Sequence, residues 1–96
     1  MEPFNIKFGY GSNEVTLTIL PVEEDYYKVI YYGAVIGAVR LDGDIWEPIP
    51  QEEVTSGDLP FYKHDVNLGR VNVIMNEAAA AEIGDEIEHY LHKEEE

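Results

Sequence analysis

Ninety-six residues, 45% of them hydrophobic and 27% charged, make one domain's worth of globular polypeptide. Twenty acidic residues against six basic ones leave a net charge of -14, which argues against direct binding of nucleic acid, and the absence of cysteine excludes disulfides, thiolate metal sites and cysteine nucleophiles. No apolar run approaches the ~18 residues of a membrane helix, and Met1-Glu2-Pro3 leads into alternation rather than a basic stretch and an apolar block, so a small, soluble, cytoplasmic protein with no membrane partner is expected.

Phe4, Ile6, Phe8 and Tyr10 alternate with polar or small residues, the period of a half-buried strand over 4–10. Gly11-Ser12-Asn13 is a turn cluster. Val15, Leu17 and Ile19 then alternate with Thr16 and Thr18, which predicts an antiparallel partner over 14–20, ended by Pro21. Residues 26–32 are β-formers on both faces, broken only by Lys28, and read as a central strand. Gly33-Ala34 suits a type II′ loop, 35–41 returns as the next strand, and Asp42-Gly43 signals a type I′ turn. A short fifth strand over 44–47 stops before Pro48.

With loops of that length, Tyr32 faces Val35, Ile30 faces Gly37, Leu41 faces Asp44 and Val39 faces Trp46. Trp46 then lies diagonally beside Gly37, where an indole fills the hollow left by a missing side chain. Tyr26, Ile30, Tyr32, Val35, Val39, Leu41 and Trp46 share one face, and Tyr27, Tyr31, Ile36 and Arg40 share the other. A three-residue first loop exchanges the faces of 26–32.

Pro48, Pro50, Gly57 and Pro60 punctuate residues 48–65 as a long loop, with one helical turn at Gln51-Glu52-Glu53-Val54 and with Phe61 and Tyr62 pinning it to the core. Residues 70–75 read either as a sixth strand or as part of a long helix from Asp65. Asn76 has the character of an N-cap, followed by acid in the first turn and an alanine run. Ala79, Ile83, Ile87 and Leu91, flanked by Ala80 and Tyr90, form the apolar stripe of a helix over 77–92. The fold class expected is α+β: one domain, 1–96, with an antiparallel meander-like sheet of five to six strands and a C-terminal amphipathic helix packed on one face.

The candidate chemistry is sparse. His89 and His92, at i and i+3, with Asp85 one turn earlier, are the candidate metal ligands, but a third strong ligand is missing. Adjacent His64 and Asp65 cannot hydrogen-bond as a base and its orienter do, and no serine stands out as a nucleophile. Asp42-Gly43-Asp44 lacks the remaining acids of an EF-hand loop, and the glycines have no strand–loop–helix context for a phosphate.

Tyrosine, arginine and acid are the more informative features. Tyr27, Tyr31 and Arg40 on one sheet face have the composition of an interface hot spot. Residues 77–96 carry eight acids and one lysine, a net of -7 and half the total, with Glu82, Asp85, Glu86 and Glu88 as the candidate acidic surface. These features favour a non-enzymatic, cofactor-free protein-interaction domain that binds another protein through that sheet face or the acidic helix. The competing readings are a nucleic-acid-mimicking inhibitor of a basic protein and a small metal-dependent or hydrolytic enzyme using His64, His89 and His92. Self-repulsion at this charge predicts a monomer or a weak homodimer.

Overall fold

The computed structural model describes residues 2–10, 13–54, 60–61 and 75–95. The described residues form strands β1 (Phe4–Tyr10), β2 (Asn13–Glu23), β3 (Tyr26–Tyr31), β4 (Ala34–Asp42) and β5 (Ile45–Pro50), a 3-10 turn over Gln51–Glu53, and a helix, α1 (Glu77–Glu95). The five strands lie in one antiparallel sheet in the order β1-β2-β3-β4-β5, a meander, with the helix packed against it. The α+β arrangement expected from the alternation is the one found. The sixth strand considered at 70–75 lies outside the described residues but for Met75, which belongs to no strand.

Both loop assignments in the central strands are corrected by one residue. Tyr31 pairs with Ala34, so the first loop is Tyr32-Gly33, not Gly33-Ala34. Tyr32 and Gly33 both take positive φ, 51° and 78°, the pattern of a type I′ turn. Asp42 pairs with Ile45, so the second loop is Gly43-Asp44, with positive φ (64°) at Gly43 alone. Leu41 therefore faces Trp46, and Val39 faces Pro48. The register also slips inside the β3–β4 ladder: Ile30 pairs with Val35 but Val29 with Gly37, leaving Ile36 as the extra residue of a bulge. Prolines do not end the strands as expected. β2 runs through Pro21 to Glu23 with an irregularity at its end, and β5 runs through Pro48 to Pro50, because a proline is tolerated where its nitrogen points off the sheet edge.

The shifted loop and the bulge redistribute the side chains. Tyr27, Val29 and Tyr31 face the helix with Phe4, Ile6, Phe8, Val15, Leu17, Ile19, Ile36, Val39 and Trp46. Ala79, Ala80, Ile83 and Ile87 close this core from α1, and Ile83 and Ile87 are fully buried. Each such isoleucine contributes roughly 1.5–3 kcal/mol by leaving water. Tyr90 extends the packing to the sheet's end, its ring stacked on Phe4 at 3.9 Å. The opposite face holds a smaller cluster of Ile30, Val35 and Ala38 under Val54, with Leu20, Tyr26 and Ile49 alongside. The segment after β5 covers this face through backbone as well: Val35 N–H donates to the Pro60 carbonyl at 2.8 Å, and Gln51 Nε2 donates to the Val35 carbonyl at 2.7 Å. Phe61, expected to anchor the loop by its ring, is 41% exposed and holds by a backbone bridge to Val35.

The sheet curls around the helix. Glu82 reaches Gly9 of β1, while Gly84, two residues on, lies under Trp46 of β5. Those helix residues are ~3 Å apart along the axis, yet the edges of a flat five-stranded sheet would be ~19 Å apart. Opposite flanks of one helical turn therefore meet opposite edges of the sheet. Trp46 does not fill the hollow at Gly37, as the shifted register explains. Met75 and the Ile49 carbonyl occupy that place, and a Cβ on Gly37 would lie 2.8 Å from the carbonyl oxygen. The indole instead covers Gly84, and a Cβ there would clash with the ring.

Gly84→Ala tests this contact by the sign of its effect. Alanine is the better helix former by about 1 kcal/mol, so an open position would gain stability. Denaturant unfolding is expected to show a net loss of about 1–3 kcal/mol, the cost of overpacking against the indole. A gain would mean that the ring does not sit on the helix.

Candidate functional site

The outward face of α1 is built from the same sequence period that builds its inward one. Asn76 starts the helix: its Oδ1 accepts the Ala79 N–H at 2.8 Å and its carbonyl accepts the Ala80 N–H at 2.8 Å. Such a cap contributes about 1 kcal/mol. Once the register is fixed, every position not needed by the core points to water. Glu77, Glu82, Asp85 and Glu88 are exposed and Glu86 is half-buried. No lysine or arginine occurs between Glu77 and His92. Among the described residues the ion pair is that of Arg40 and Glu47 on the sheet, so no described cation neutralises the helix acids.

Glu88 has a second task. Its Oε1 accepts the Trp46 Nε1 hydrogen at 3.2 Å, tying the acidic helix to β5 beside Gly84. Between β5 and the first half of α1 runs a groove of about 560 Å³, lined by Asp44, Ile45, Trp46, Glu47 and Pro48 on the sheet side and by Glu77, Ala81 and Asp85 on the helix side. Ile45, at the mouth, is 69% exposed. Of these, Asp85 alone was expected to belong to an acidic surface. Pro48 was missed because β5 was expected to stop at Glu47.

The tyrosine face does not form. Tyr27 and Tyr31 are 8% and 2% exposed, inside the core beneath the helix, with the Tyr27 ring 5.7 Å from Trp46. Arg40 pairs with Tyr26 and lies on the opposite face, where its Nη2 donates to Glu47 Oε2 at 2.9 Å. That hydrogen bond, with the charge of Glu47 behind it, raises the guanidinium pKa further. The three residues expected to act together are thus separated by the bulge at Ile36, which shifts the β3–β4 pairing by one residue and sets Tyr27 opposite Val39. The tyrosine that is exposed is Tyr32, at 63%, held in the turn with its ring 4.6 Å from that of Tyr31.

His89 and His92 lie exposed near the helix end, and His64 lies outside the described residues. Among the described residues no group of three His, Cys, Asp or Glu side chains is arranged to hold a metal ion, Asp85, His89 and His92 included. No described helix is long and apolar enough to cross a membrane. Comparison with family models, with curated proteins and with solved structures finds no match to this chain.

Burial raises the Tyr27 phenol above its ordinary value of 10.0, and the nearby Asp25 charge adds to the shift. The unfolded chain ionises this phenol at its ordinary pKa, whereas the folded chain holds the proton longer. Its stabilising effect is therefore complete below pH 10 and is lost as pH climbs through the folded-state value. Unfolding measured across pH 9–11 is expected to show a steeper alkaline loss in the parent protein than in Tyr27→Phe. Equal slopes would place the hydroxyl in water.

Proposed function

We propose that this protein is a non-enzymatic interaction domain that binds a basic partner protein through the acidic outer face of α1. The observation that carries the reading is the separation of roles on one helix: Ile83 and Ile87 are fully buried, while Glu82, Asp85 and Glu88 face water with no described cation beside them. Repulsion among such charges works against folding, and a basic partner converts it into attraction. Nothing in the hydrophobic core requires Glu82 or Asp85 to be acidic. The rigid core beneath them also holds the charges in fixed relative positions, so little ordering accompanies binding. The cytoplasm is the compartment we assign, since a chain without cysteine draws nothing from an oxidising one.

Immobilised protein exposed to cell lysate tests this, with a triple variant, Glu82→Gln, Asp85→Asn and Glu86→Gln, as the comparison. Basic proteins should be retained by the parent, released by about 0.5 M salt as screening shortens to a few ångströms, and missing from the variant. A retained set that is the same for both proteins and resists salt would refute an electrostatic interface on α1.

A further inference from the structure

The two edges of the sheet are treated very differently. In β5, Asp42 and Ile45 close a two-residue loop and so form a hydrogen-bonded pair. Ile45, Glu47 and Ile49 therefore turn their backbone groups toward β4, and Trp46, Pro48 and Pro50 turn theirs outward. Two of those three outward positions are prolines without an N–H. The β5 edge can donate only from Trp46, which bars it from pairing with another strand.

Among the described residues β1 has no such protection. Tyr10 pairs with Asn13 across a two-residue connection, so Phe4, Ile6, Phe8 and Tyr10 bond to β2 while Asn5, Lys7 and Gly9 direct their N–H and carbonyl groups outward. The side chains of Asn5 and Lys7 turn back to β2, where Asn5 Oδ1 accepts from Thr18 Oγ1 and Lys7 Nζ donates to Thr16 Oγ1, each at 2.8 Å. Among the described residues no strand occupies this edge.

An acid from the helix reaches around to this edge at Gly9. Glu82 Oε1 lies 3.5 Å from where a Cβ on Gly9 would be, so this carboxylate stands at the rim of β1. Glu86 is one turn further along the same flank. α1 runs along β1 in the opposite direction, since Glu82 lies by Gly9 and Tyr90 stacks on Phe4. Residues one helical turn apart are separated by ~6 Å along the axis, and alternate residues of a strand by ~6.6 Å. The two spacings match.

We infer that the open edge of β1 takes up an extended basic segment of the partner as a sixth strand, with alternate lysines or arginines over Glu82 and Glu86. This rests on the basic-partner reading and adds the mode of recognition: backbone pairing supplies the grip and period-two charge the selection. A second copy of this chain is the poorer occupant. It brings its own net charge of -14, and twofold pairing about the strand's centre sets Lys7 against Lys7.

The geometry dictates which peptide nitrogens matter. Residues that bond to Asn5, Lys7 and Gly9 share their face, away from the helix, because Phe4, Ile6 and Phe8 face the core. The residues between them point at the helix acids and turn their own N–H groups outward. The probe is a short peptide alternating lysine and valine with blocked ends, titrated by fluorescence anisotropy at low salt. N-methylation of the valine nitrogens should weaken binding by about tenfold or more, through the lost hydrogen bonds. N-methylation of the lysine nitrogens, at equal charge, should leave it nearly unchanged. Lys7→Pro, which removes one outward N–H, should weaken binding relative to Lys7→Ala, which removes the same charge. If both methylated peptides bind like the parent peptide, strand addition is overturned while the basic-partner reading stands. If no peptide of the set binds at low salt, both are overturned.

Discussion

The indole of Trp46 rests on the one helical position that has no side chain. Gly84 makes a notch in the middle of α1, and Trp46, 8% exposed, fills it while donating to Glu88 one turn on. A glycine inside a helix costs about 1 kcal/mol relative to alanine. The contact it permits more than offsets this: a large aromatic surface leaves water, and its single polar atom keeps a hydrogen bond. The notch fixes the rotation of the helix about its axis. With Gly84 toward β5, Ile83 and Ile87 must point into the trough, Tyr90 must fall on Phe4, and Glu82 must come to β1. A small sheet closed by one helix has few other ways to define that rotation, since an apolar stripe alone tolerates sliding and rolling.

The same constraint assigns the acids. Glu82 and Glu86 follow the β1 flank, Asp85 and Glu77 follow the β5 flank, and Glu88 is drawn into the tryptophan contact. An acidic helix that could roll would present an averaged charge. One locked by an indole presents charges at fixed places, which favours a geometrically specific partner over a diffuse cloud of cations. The edges divide in a parallel way: prolines close the β5 side to pairing and leave the groove beside it to side-chain contacts, whereas no described strand takes the outward backbone groups of β1.

The alternating runs at Phe4–Tyr10 and Glu14–Ile19 made the first hairpin legible, and the spacing of Ala79, Ile83 and Ile87 behind Asn76 did the same for the helix. These are local patterns that tertiary structure reinforces. What escaped was register. Tyr32 adopts φ 51° at the first position of a type I′ turn, a place where asparagine or glycine is the recognisable signal. A tyrosine there costs about 1–2 kcal/mol and announces nothing. The bulge at Ile36 is equally silent, with no turn residue to mark it, and the Ile49 carbonyl that approaches Gly37 beside it comes from a neighbouring strand. The bulge shifts the pairing by one residue and inverts the faces of β3 relative to β4, and without it Tyr27 and Tyr31 fall beside Arg40 as an expected binding surface. The acidic face was legible because it needs only helical period and charge. The groove was not, since it depends on how far β5 continues past Pro48.

The most direct test is a proton NMR measurement of Gly84 in the folded parent protein. If the indole of Trp46 lies over the helix at this residue, the Gly84 α-protons sit in the ring's shielding region. They should then resonate well upfield of their unfolded positions and show nuclear Overhauser contacts to the indole protons. Gly84 α-protons at ordinary helical shifts, with no contact to the indole, would contradict the notch and with it the fixed placement of every acid on α1.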